Sequence, residues 1–479
     1  MRNIPGEFLE INRKARVQTP SLEIGYRSAV ERIGDFEEVN LPLTPEQAMY
    51  EASRCVHCPD PAACMRACPA QNDIPSIMWL ISQGQFLEAA ELYRQTSSLP
   101  EICGRVCPHE QLCQGSCPQS KHGDPVATGA LEAFVMDYQR KFGEIDTSVA
   151  EAKNQKVAVV GAGPSGLSCA DLLAKEGFAV TIFDTNPQPG GLLVYGIPNF
   201  KLNKDVVFAR IDDFYRMGVK FVGSTLIGKE KTVDDLLEEG FQAIYIAVGT
   251  LIDAPMNVPG EDLPGVYKGT EFLIRNNVNP DILPKGFREK SPPGKKVVVI
   301  GGGDTASDCL RTALRMGSEE VTCLYRRTEK EMPGGAKDRK LAREEGAEYQ
   351  FLTQPVRFIP GKGGRLAAVE CVRMELGEPD ESGRRRPVPI EDSDFIVEAD
   401  TAILALGYWP DETIVKTTPG LETHKWGLIV TDPETGATSR EGIYAGGDVV
   451  TGPDLVVTAM AAGRKAAESI IAYLKTKEK

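Results

Sequence analysis

Eight of the twelve cysteines lie between Cys55 and Cys117 in two groups, Cys55-x2-Cys58-x5-Cys64-x3-Cys68-Pro69 and Cys103-x3-Cys107-x5-Cys113-x3-Cys117-Pro118. So many thiols in so short a stretch need a chemical partner: another thiol, zinc, or iron with sulfide. Zinc sites usually pair two short Cys-x2-4-Cys knuckles across a longer gap, and only Cys55 and Cys58 are spaced as one. Short spacings that end in Cys-Pro are those of iron–sulfur ligand runs, where the last thiolate often serves a different cluster from the first three. Two 4Fe–4S clusters are the expectation.

A second chemistry is written in glycines. Lys156–Val160 is a short apolar run, followed at once by Gly161-Ala-Gly163-Pro-Ser-Gly166, a helical stretch through Lys175, and a second apolar run, Ala179–Phe183, ending in Asp184. In this setting the glycines allow a tight turn, backbone approach to a pyrophosphate and close helix packing, and Asp184 accepts from a ribose. The pattern recurs once. Lys296–Ile300 leads into Gly301-Gly-Gly303-Asp304-Thr305-Ala306, a helix through Met316 and the strand Glu320–Tyr325. Here the second strand ends in Arg326-Arg327 instead of an acid. Paired guanidiniums suit a 2′-phosphate, so NADP(H) is favoured over NAD(H).

Two nucleotide units in one chain point to a flavin beside the nicotinamide. Gly190-Gly191-Leu-Leu-Val-Tyr195-Gly196-Ile-Pro198 is expected to lay an apolar surface with backbone donors along the ring. Ile244–Thr250, through Gly249, reads as a strand beside the first unit, and Ala402–Gly407 as its counterpart after the second. Gly442–Asp448, through Gly446-Gly447, reads as a strand that brings Asp448 to the cofactor's sugar-like chain. A helix from about Thr458 would then point its positive end at the flavin. Residues 330–400 complete the inserted unit, with polar hairpin-like turns at Gly361–Gly364 and Glu378–Pro389.

The cysteines must be positioned by local helices. Thr44-Pro45-Glu46-Gln47 is a helix-start signature, and the helix to Ser53 delivers the chain to Cys55. Pro75–Gln83 and Gln85–Gln95 have apolar residues at helical spacing, split at Gly84, and Ala127–Phe142 reads as a further helix. Residues 143–155 are polar and read as a linker. The expected architecture is α/β. Two Rossmann-like nucleotide-binding domains, glutathione-reductase-like and one inserted in the other, follow a small α-helical iron–sulfur domain. The boundaries are 1–150 for two 4Fe–4S clusters, 151–290 with 405–479 for FAD, and 291–404 for NADP(H).

Composition closes off other classes. The net charge of −14 argues against a general nucleic-acid binder. No apolar run approaches the ~18 residues of a membrane span. The N-terminus lacks the apolar core of an export signal, which predicts a cytoplasmic protein with free thiols. The remaining cysteines, Cys169, Cys309, Cys323 and Cys371, are isolated, so no disulfide relay is expected; Cys169 and Cys309 fall on core helix positions. None of His57, His109, His122 and His424 has a partner suggesting acid–base work, and His57 reads as a neighbour of the clusters, not a ligand.

Taken together, Cys103–Pro108, Gly190–Pro198, Gly301–Asp308, Cys323–Arg327, Met332–Gly334 and Ala445–Asp448 resemble the small (beta) subunit of NADPH-dependent glutamate synthase. The likeness extends to the flavin subunit of NADH-dependent reduced ferredoxin:NADP oxidoreductase and to the N-terminal half of dihydropyrimidine dehydrogenase. It covers almost the whole chain. The resemblance implies interleaved ligands: Cys55, Cys58, Cys64 and Cys117 for one cluster, and Cys68, Cys107 and Cys113 with Glu132 for the other. It leaves Cys103 outside, although residue type alone selects that thiol over a carboxylate. Many relatives have four residues between the second and third cysteines where this chain has five.

The implied activity is oxidation of NADPH at the Gly301 unit and hydride transfer to FAD at the Gly161 unit, with electrons then passed singly through the clusters to a partner. That partner would be the large catalytic subunit of glutamate synthase, in L-glutamate biosynthesis and ammonia assimilation. The alternative is a ferredoxin-linked flavoprotein subunit of an electron-bifurcating NADPH–ferredoxin complex. A non-catalytic scaffold or redox sensor is the third reading. The chain carries neither a glutaminase nucleophile near its N-terminus nor a stretch for an FMN barrel, so amide chemistry is expected on another chain.

Overall fold

The computed structural model describes residues 11–284, 286–287, 292–379 and 385–477. Its first sheet has five parallel strands in the order Ile443–Ala445, Ala243–Ile246, Lys156–Val160, Ala179–Phe183 and Lys220–Val222. The inner strands are apolar on both faces because helices cover both. One face takes Pro164–Lys175 and the C-terminal helix Val456–Lys477, with Val157, Val159, Leu167, Cys169 and Met460 among the buried residues. The other takes Val233–Glu238 and the loops around Ile414 and Ile429. Cys169 is thus a core residue, as expected.

The second sheet is also parallel and five-stranded, in the order Val266–Lys268, Thr401–Leu404, Lys296–Ile300, Glu320–Tyr325 and Glu348–Phe351. Asp304–Arg315 packs on one face with Cys309 buried. An antiparallel sheet of Thr353–Pro360, Leu366–Pro379, Arg385–Pro389 and Phe395–Glu398 adjoins it. The Gly361–Gly364 turn joins the first two of these strands, whereas positions 380–384 of the second expected turn lie outside the described residues.

The second unit gathers more chain than expected. Val266–Lys268 pairs with Thr401–Leu404, and the following helix Gly269–Asn277 contributes Phe272 and Leu273 to that unit's core. Both precede the expected start at 291, a boundary that itself lies outside the described residues. The two units are joined by a two-stranded link in which Tyr408 and Trp409 pair antiparallel with Asp253 and Ile252.

The N-terminal unit is helical. Pro45–Ser53 starts with the expected capping box, since Thr44 and Gln47 each bond the other's backbone N–H. Ile74–Ser82, Phe86–Thr96 and Thr128–Phe142 bury Ile77, Met78, Ile81, Ala89, Leu131 and Val135 against it. Four short α-helices go beyond the sequence expectation: Arg13–Gln18, Ala29–Ile33, Ala63–Ala67 and Pro100–Val106. The last of these sends Leu99, Ile102 and Cys103 into the core of the first nucleotide unit. Among the described residues no helix is long and apolar enough to cross a membrane.

Buried ion pairs fasten the units. Arg140, paired with Glu101 at 2.8 Å in the helical unit, reaches across to Asp213, and Arg210, paired with Asp171 at 2.9 Å in the first nucleotide unit, donates from Nε to the Ser98 carbonyl at 2.8 Å, so the two units are joined from both sides. At the other junction Lys201 reaches both Asp308 and Asp338 at 3.0 Å, and Arg311 grips Glu345 at 2.9 Å and Asp338 at 3.1 Å. Arg32 comes from the N-terminal segment to Glu344 at 2.8 Å.

Candidate functional site

The carboxyl ends of Lys156–Val160, Ala179–Phe183 and Ala243–Ile246 open onto a cleft enclosing about 1180 Å³, open solvent included. Such crevices at strand ends are where this class of sheet binds nucleotides. Gly161 adopts φ +107°, and a Cβ on it would collide with the Ala247 carbonyl. Gly166 packs so closely that a Cβ would meet Val159 at 3.1 Å, whereas Gly163 faces open space. The helix Pro164–Lys175 therefore begins at the cleft with free backbone N–H groups, the arrangement a pyrophosphate needs.

Asp184 lines the cleft with its carboxylate oriented by the chain around it. Oδ2 accepts from Ala162 N–H at 2.6 Å, and Oδ1 accepts from the backbone and side-chain N–H groups of Asn186 at 2.8 and 3.0 Å. Gly249 and Thr250 lie on the wall, and Thr250 Oγ1 is buried without a hydrogen-bond partner. Asp448 lies there too, and burial pushes its carboxyl up to about 7. Gly447, at φ +75°, turns the chain into it. Leu455, Val456 and Ala459 bring the start of the C-terminal helix onto the same wall, two residues earlier than the expected Thr458. An orphaned hydroxyl and an open glycine edge beside an anchored acid are features that fit FAD.

The glycine stretch 190–198 does less than expected. Gly191 and Leu192 line the cleft, but Leu193, Val194 and Tyr195 are buried in a helical turn, and Gly196 closes that turn away from the cleft. Lys204 holds the turn: its ammonium donates to the carbonyls of Leu193 at 2.8 Å, Leu202 at 3.2 Å and Ile197. Burial lowers the Lys204 ammonium to about 7. Asp411, Thr413 and Asp454 also line the cleft. No sequence signal marks them, because they come from loops remote from the fingerprint.

At the second glycine turn Gly301 adopts φ +147° and Gly303 faces open space at the start of Asp304–Arg315. Asp304 Oδ1 accepts from Gly335 N–H at 2.9 Å, and Thr305 Oγ1 lies 3.0 Å from the Tyr408 hydroxyl. These two side chains brace neighbouring loops. Ala306 is buried against the strand, as the third fingerprint position requires. Arg326 is exposed at the strand end; Arg327 is half-buried and donates from Nε to the Arg385 carbonyl at 3.1 Å. The open second glycine and the guanidiniums at the strand end fit NADPH.

The cysteines separate into two sets that cross the sequence groups. Burial pushes the Cys55 and Cys64 thiols up to about 12; neighbouring Cys117 and Cys58 raise both further, and Cys55 also acts on Cys64. Those four therefore share one neighbourhood. The second set lines a small cavity of Cys68, Cys103, Cys107, Cys113, His109 and Glu132, among others. Burial raises Cys68 to about 11 and Cys113 to about 12, and Glu132 is well above the usual carboxylate range for the same reason. A thiol pushed up this far is protonated until iron binds, so loading iron there would release protons.

Cys103 and Glu132 both face this second cavity, so position alone does not separate them. Gly104 explains how they meet: a Cβ there would sit 2.6 Å from Ala133 N, so only glycine lets Pro100–Val106 lie on the helix that carries Glu132. Their bonding differs. Glu132 Oε1 is buried with no partner, whereas the neighbouring Cys103 thiol, together with burial, holds Cys107 well above the usual thiol range. His109 is half-buried beside them with a buried, unpartnered Nε2, and desolvation lowers its imidazole to about 4. Nothing in the sequence around His109 marks it for that position. Four thiols and an orphaned carboxylate around one cavity fit an iron–sulfur cluster.

One helix turn touches two of these sites. Val456 lines the flavin cleft and the adjacent Val457 lines the second thiol cavity.

Both parts of the chain resemble known proteins. Residues 32–144 match the family described as dihydropyrimidine dehydrogenase domain II, 4Fe–4S cluster, and residues 155–463 match pyridine nucleotide-disulphide oxidoreductase. The chain is 42% identical over 478 residues to the glutamate synthase [NADPH] small chain of Halomonas elongata, covering 98% of each. It is 38% identical over 438 residues to the NADPH-Fe(3+) oxidoreductase subunit beta of Geobacter sulfurreducens, covering 86% of this chain and 64% of that one. Among solved structures, Mycobacterium tuberculosis FprA in complex with NADPH superposes with TM-score 0.56 at 22% identity, over 68% of this chain and 86% of that one, a likeness of fold.

Proposed function

The chain belongs to the glutamate synthase small-chain family of pyridine nucleotide-disulphide oxidoreductases, and from that premise we propose that it is the electron-input subunit of a glutamate synthase, serving a large catalytic subunit. It is an NADPH-dependent oxidoreductase of the FAD and 4Fe–4S type. Bound FAD supplies exchange between the electron pair of a nicotinamide hydride and the single electrons that iron–sulfur clusters carry.

The chain's own residues provide three things. Gly161, Gly163 and the start of Pro164–Lys175 would take the FAD pyrophosphate, with Asp184 on the ribose side and Asp448 and Thr250 along the cleft. Gly301, Gly303 and the start of Asp304–Arg315 would take the NADPH pyrophosphate, with Arg326 and Arg327 toward the 2′-phosphate. Cys68, Cys107, Cys113 and Glu132 would hold the cluster nearer the flavin; Cys55, Cys58, Cys64 and Cys117 would hold the farther one.

The observation that carries this reading is the shared turn at Val456 and Val457. Val456 borders the flavin cleft and the adjacent Val457 borders the second thiol cavity, so one short apolar segment touches both. The same thiol cavity lies over the core of the flavin unit, where Cys107 and Leu112 pack.

Anaerobic NADPH should bleach the flavin and the cluster absorption together. Flavin reduction with the clusters left oxidised would remove the reading. Arg326→Ala with Arg327→Ala should weaken NADPH by roughly 10- to 100-fold, as expected for one or two lost charge-assisted hydrogen bonds, and leave NADH nearly unchanged. Equal loss of both would remove the pair from the 2′-phosphate site.

A further inference from the structure

We propose that the N-terminal loop from Gly25 to Leu41 positions the nicotinamide unit for hydride transfer, with Arg32 as its principal positioning residue. The inference rests on the electron-transfer reading above and deepens it by naming what sets the two nucleotide sites against each other. The step it serves moves one hydride from NADPH to FAD and leaves NADP⁺ and anionic reduced flavin.

Backbone bonds close the loop on itself: Arg27 N–H donates to the Val39 carbonyl at 3.0 Å and Leu41 N–H to the Gly25 carbonyl at 3.1 Å. Within it, Arg27 forks onto both oxygens of Asp35 at 2.8 and 2.5 Å, and the helix Ala29–Ile33 starts on a capping box of Ser28 and Glu31. A loop braced in this way keeps its shape, so it can hold a fixed spacing between the elements it touches.

On one side the loop holds the end of the flavin-side glycine stretch. Val39 N–H donates to the Phe200 carbonyl at 3.0 Å, the Phe36 carbonyl accepts from Asn199 Nδ2 at 2.9 Å, and Glu38 Oε1 accepts from Asn203 N–H at 3.0 Å. Asn199 follows Pro198 directly, so these bonds anchor the stretch whose Gly191 and Leu192 line the flavin cleft. On the other side the loop holds the helix Ala336–Glu344, and Gly335 just before that helix donates to Asp304 at the second glycine turn at 2.9 Å. Lys337 donates from Nζ to Asn40 Oδ1 at 3.1 Å, and Arg32 reaches Glu344 at 2.8 Å. Between these contacts Leu341 is buried in one cluster with Val39 and Phe200. One loop therefore spans from a wall of the flavin cleft to the helix that braces the second glycine turn.

Arg32 is not needed to neutralise the end of that helix. Glu345 is already held by Arg311 at 2.9 Å and by Arg315 at 2.7 Å, both from the nicotinamide unit itself, and Arg32 adds a third guanidinium with Nε at 3.4 Å. Its side chain is 2% exposed, so a cation is buried at a junction where the acid was already paired. Its particular contribution is to tie the units. Domains joined by a short link move against each other by default. Lys201 pins the helix near its start through Asp338, and Arg32 pins it at Glu344, six residues or about 9 Å further along the axis. Two separate holds on one helix stop rotation about either. The rate of hydride transfer is sensitive to such rotation, since a misplacement of about 1 Å can cost about 100-fold.

The test is anaerobic stopped-flow reduction of the flavin by NADPH in the holoprotein, with the affinity for 2′,5′-ADP read by calorimetry as a measure of the nicotinamide unit alone. Arg32→Met should lower the limiting rate at saturating NADPH by roughly 10- to 100-fold, with 2′,5′-ADP affinity and flavin content as in the wild type. Lys337→Met loosens the exposed start of the same helix and should lower the limiting rate to a smaller extent; it decides the matter alone should Arg32→Met not fold. Arg32→Lys keeps a cation beside Glu344 and should recover most of the rate. A wild-type limiting rate in the methionine variants, even with reduced stability, would overturn the proposal, because a staple that only stabilises leaves the hydride step untouched. Loss of 2′,5′-ADP affinity by the same factor as the rate would overturn it too, since the damage would then lie within the nucleotide site. Failure of NADPH to reduce the wild-type flavin would count against the electron-transfer reading, whereas normal wild-type reduction with unaltered variants counts against this loop alone.

Discussion

Single groups in two of the sites have bonding states that decide what they can do. Glu132 Oε1 has no partner in a buried cavity and so keeps its full capacity for a cluster iron beside the Cys103 thiol. Cys103→Ser should therefore retain the full iron content, and Glu132→Ala should lose roughly half of it, both read by iron analysis of anaerobically purified protein. Loss of iron in the serine variant would make Cys103 the ligand. Asp448 offers a pH test. Burial raises its folded pKa from 3.8 to about 7, so the stability tied to its neutral form is intact at the acid end and drains away as pH rises through that interval. Asp448→Asn cannot ionise and should be flat there. Flavin-free Asp448→Asn should gain up to about 4 kcal/mol over the parent at pH 8, at about 1.4 kcal/mol per pK unit. By chemical denaturation the gain should fall to roughly half of that at about pH 5.5 and vanish near about pH 4. A gain that does not depend on pH would show that the carboxyl is not the cause.

Elements bring these groups together by packing very closely at a few points. The C-terminal helix crosses Pro164–Lys175 at Gly463, where a Cβ would collide with the Ser165 carbonyl and lie 3.1 Å from Cys169 N. Gly463→Val should force the two helices apart, at a cost of about 1–3 kcal/mol. Because that helix starts at the flavin cleft and the thiol cavity, FAD retention should fall in the same variant. Normal flavin content after gel filtration would mean that the crossing does not position the helix start. Helix starts and fingerprints are legible because their signals are local: Thr44–Gln47 and Gly161–Gly166 need only their neighbours. Val266–Lys268 is not, because three residues make a strand only when Thr401–Leu404, far along the chain, lies beside them.

Across the whole molecule, stability and geometry depend on charges buried between units. Lys201, from the flavin unit, sits between Asp308 and Asp338 of the second unit, and both acids raise its pKa against the opposing effect of burial. Lys201→Met would leave Asp308 buried and unpaired and should cost about 3–5 kcal/mol. Lys201→Met with Asp308→Leu should recover some of that loss, because removing both partners spares an uncompensated charge. Equal destabilisation of the single and double variants would assign the loss to packing. The same network, extended by Arg311, Glu345 and Arg32, holds the second nucleotide turn at a fixed attitude to the first and ties both to the N-terminal segment.

The cysteine spacing, the two glycine turns, the acid after one and the arginine pair after the other follow from the sequence alone, since each is a short-range requirement of backbone geometry or ligand chemistry. Tertiary structure alone decides which thiols are neighbours, because Cys117 reaches Cys55 and Cys64 only after the helical unit folds back on itself. It also decides that Gly196 turns away from the cleft, that His109 enters the second cavity and that Val456 and Val457 stand between the flavin cleft and the thiol cavity. Those outcomes depend on which surfaces exclude water against one another, a property of packed elements that no run of residues carries by itself.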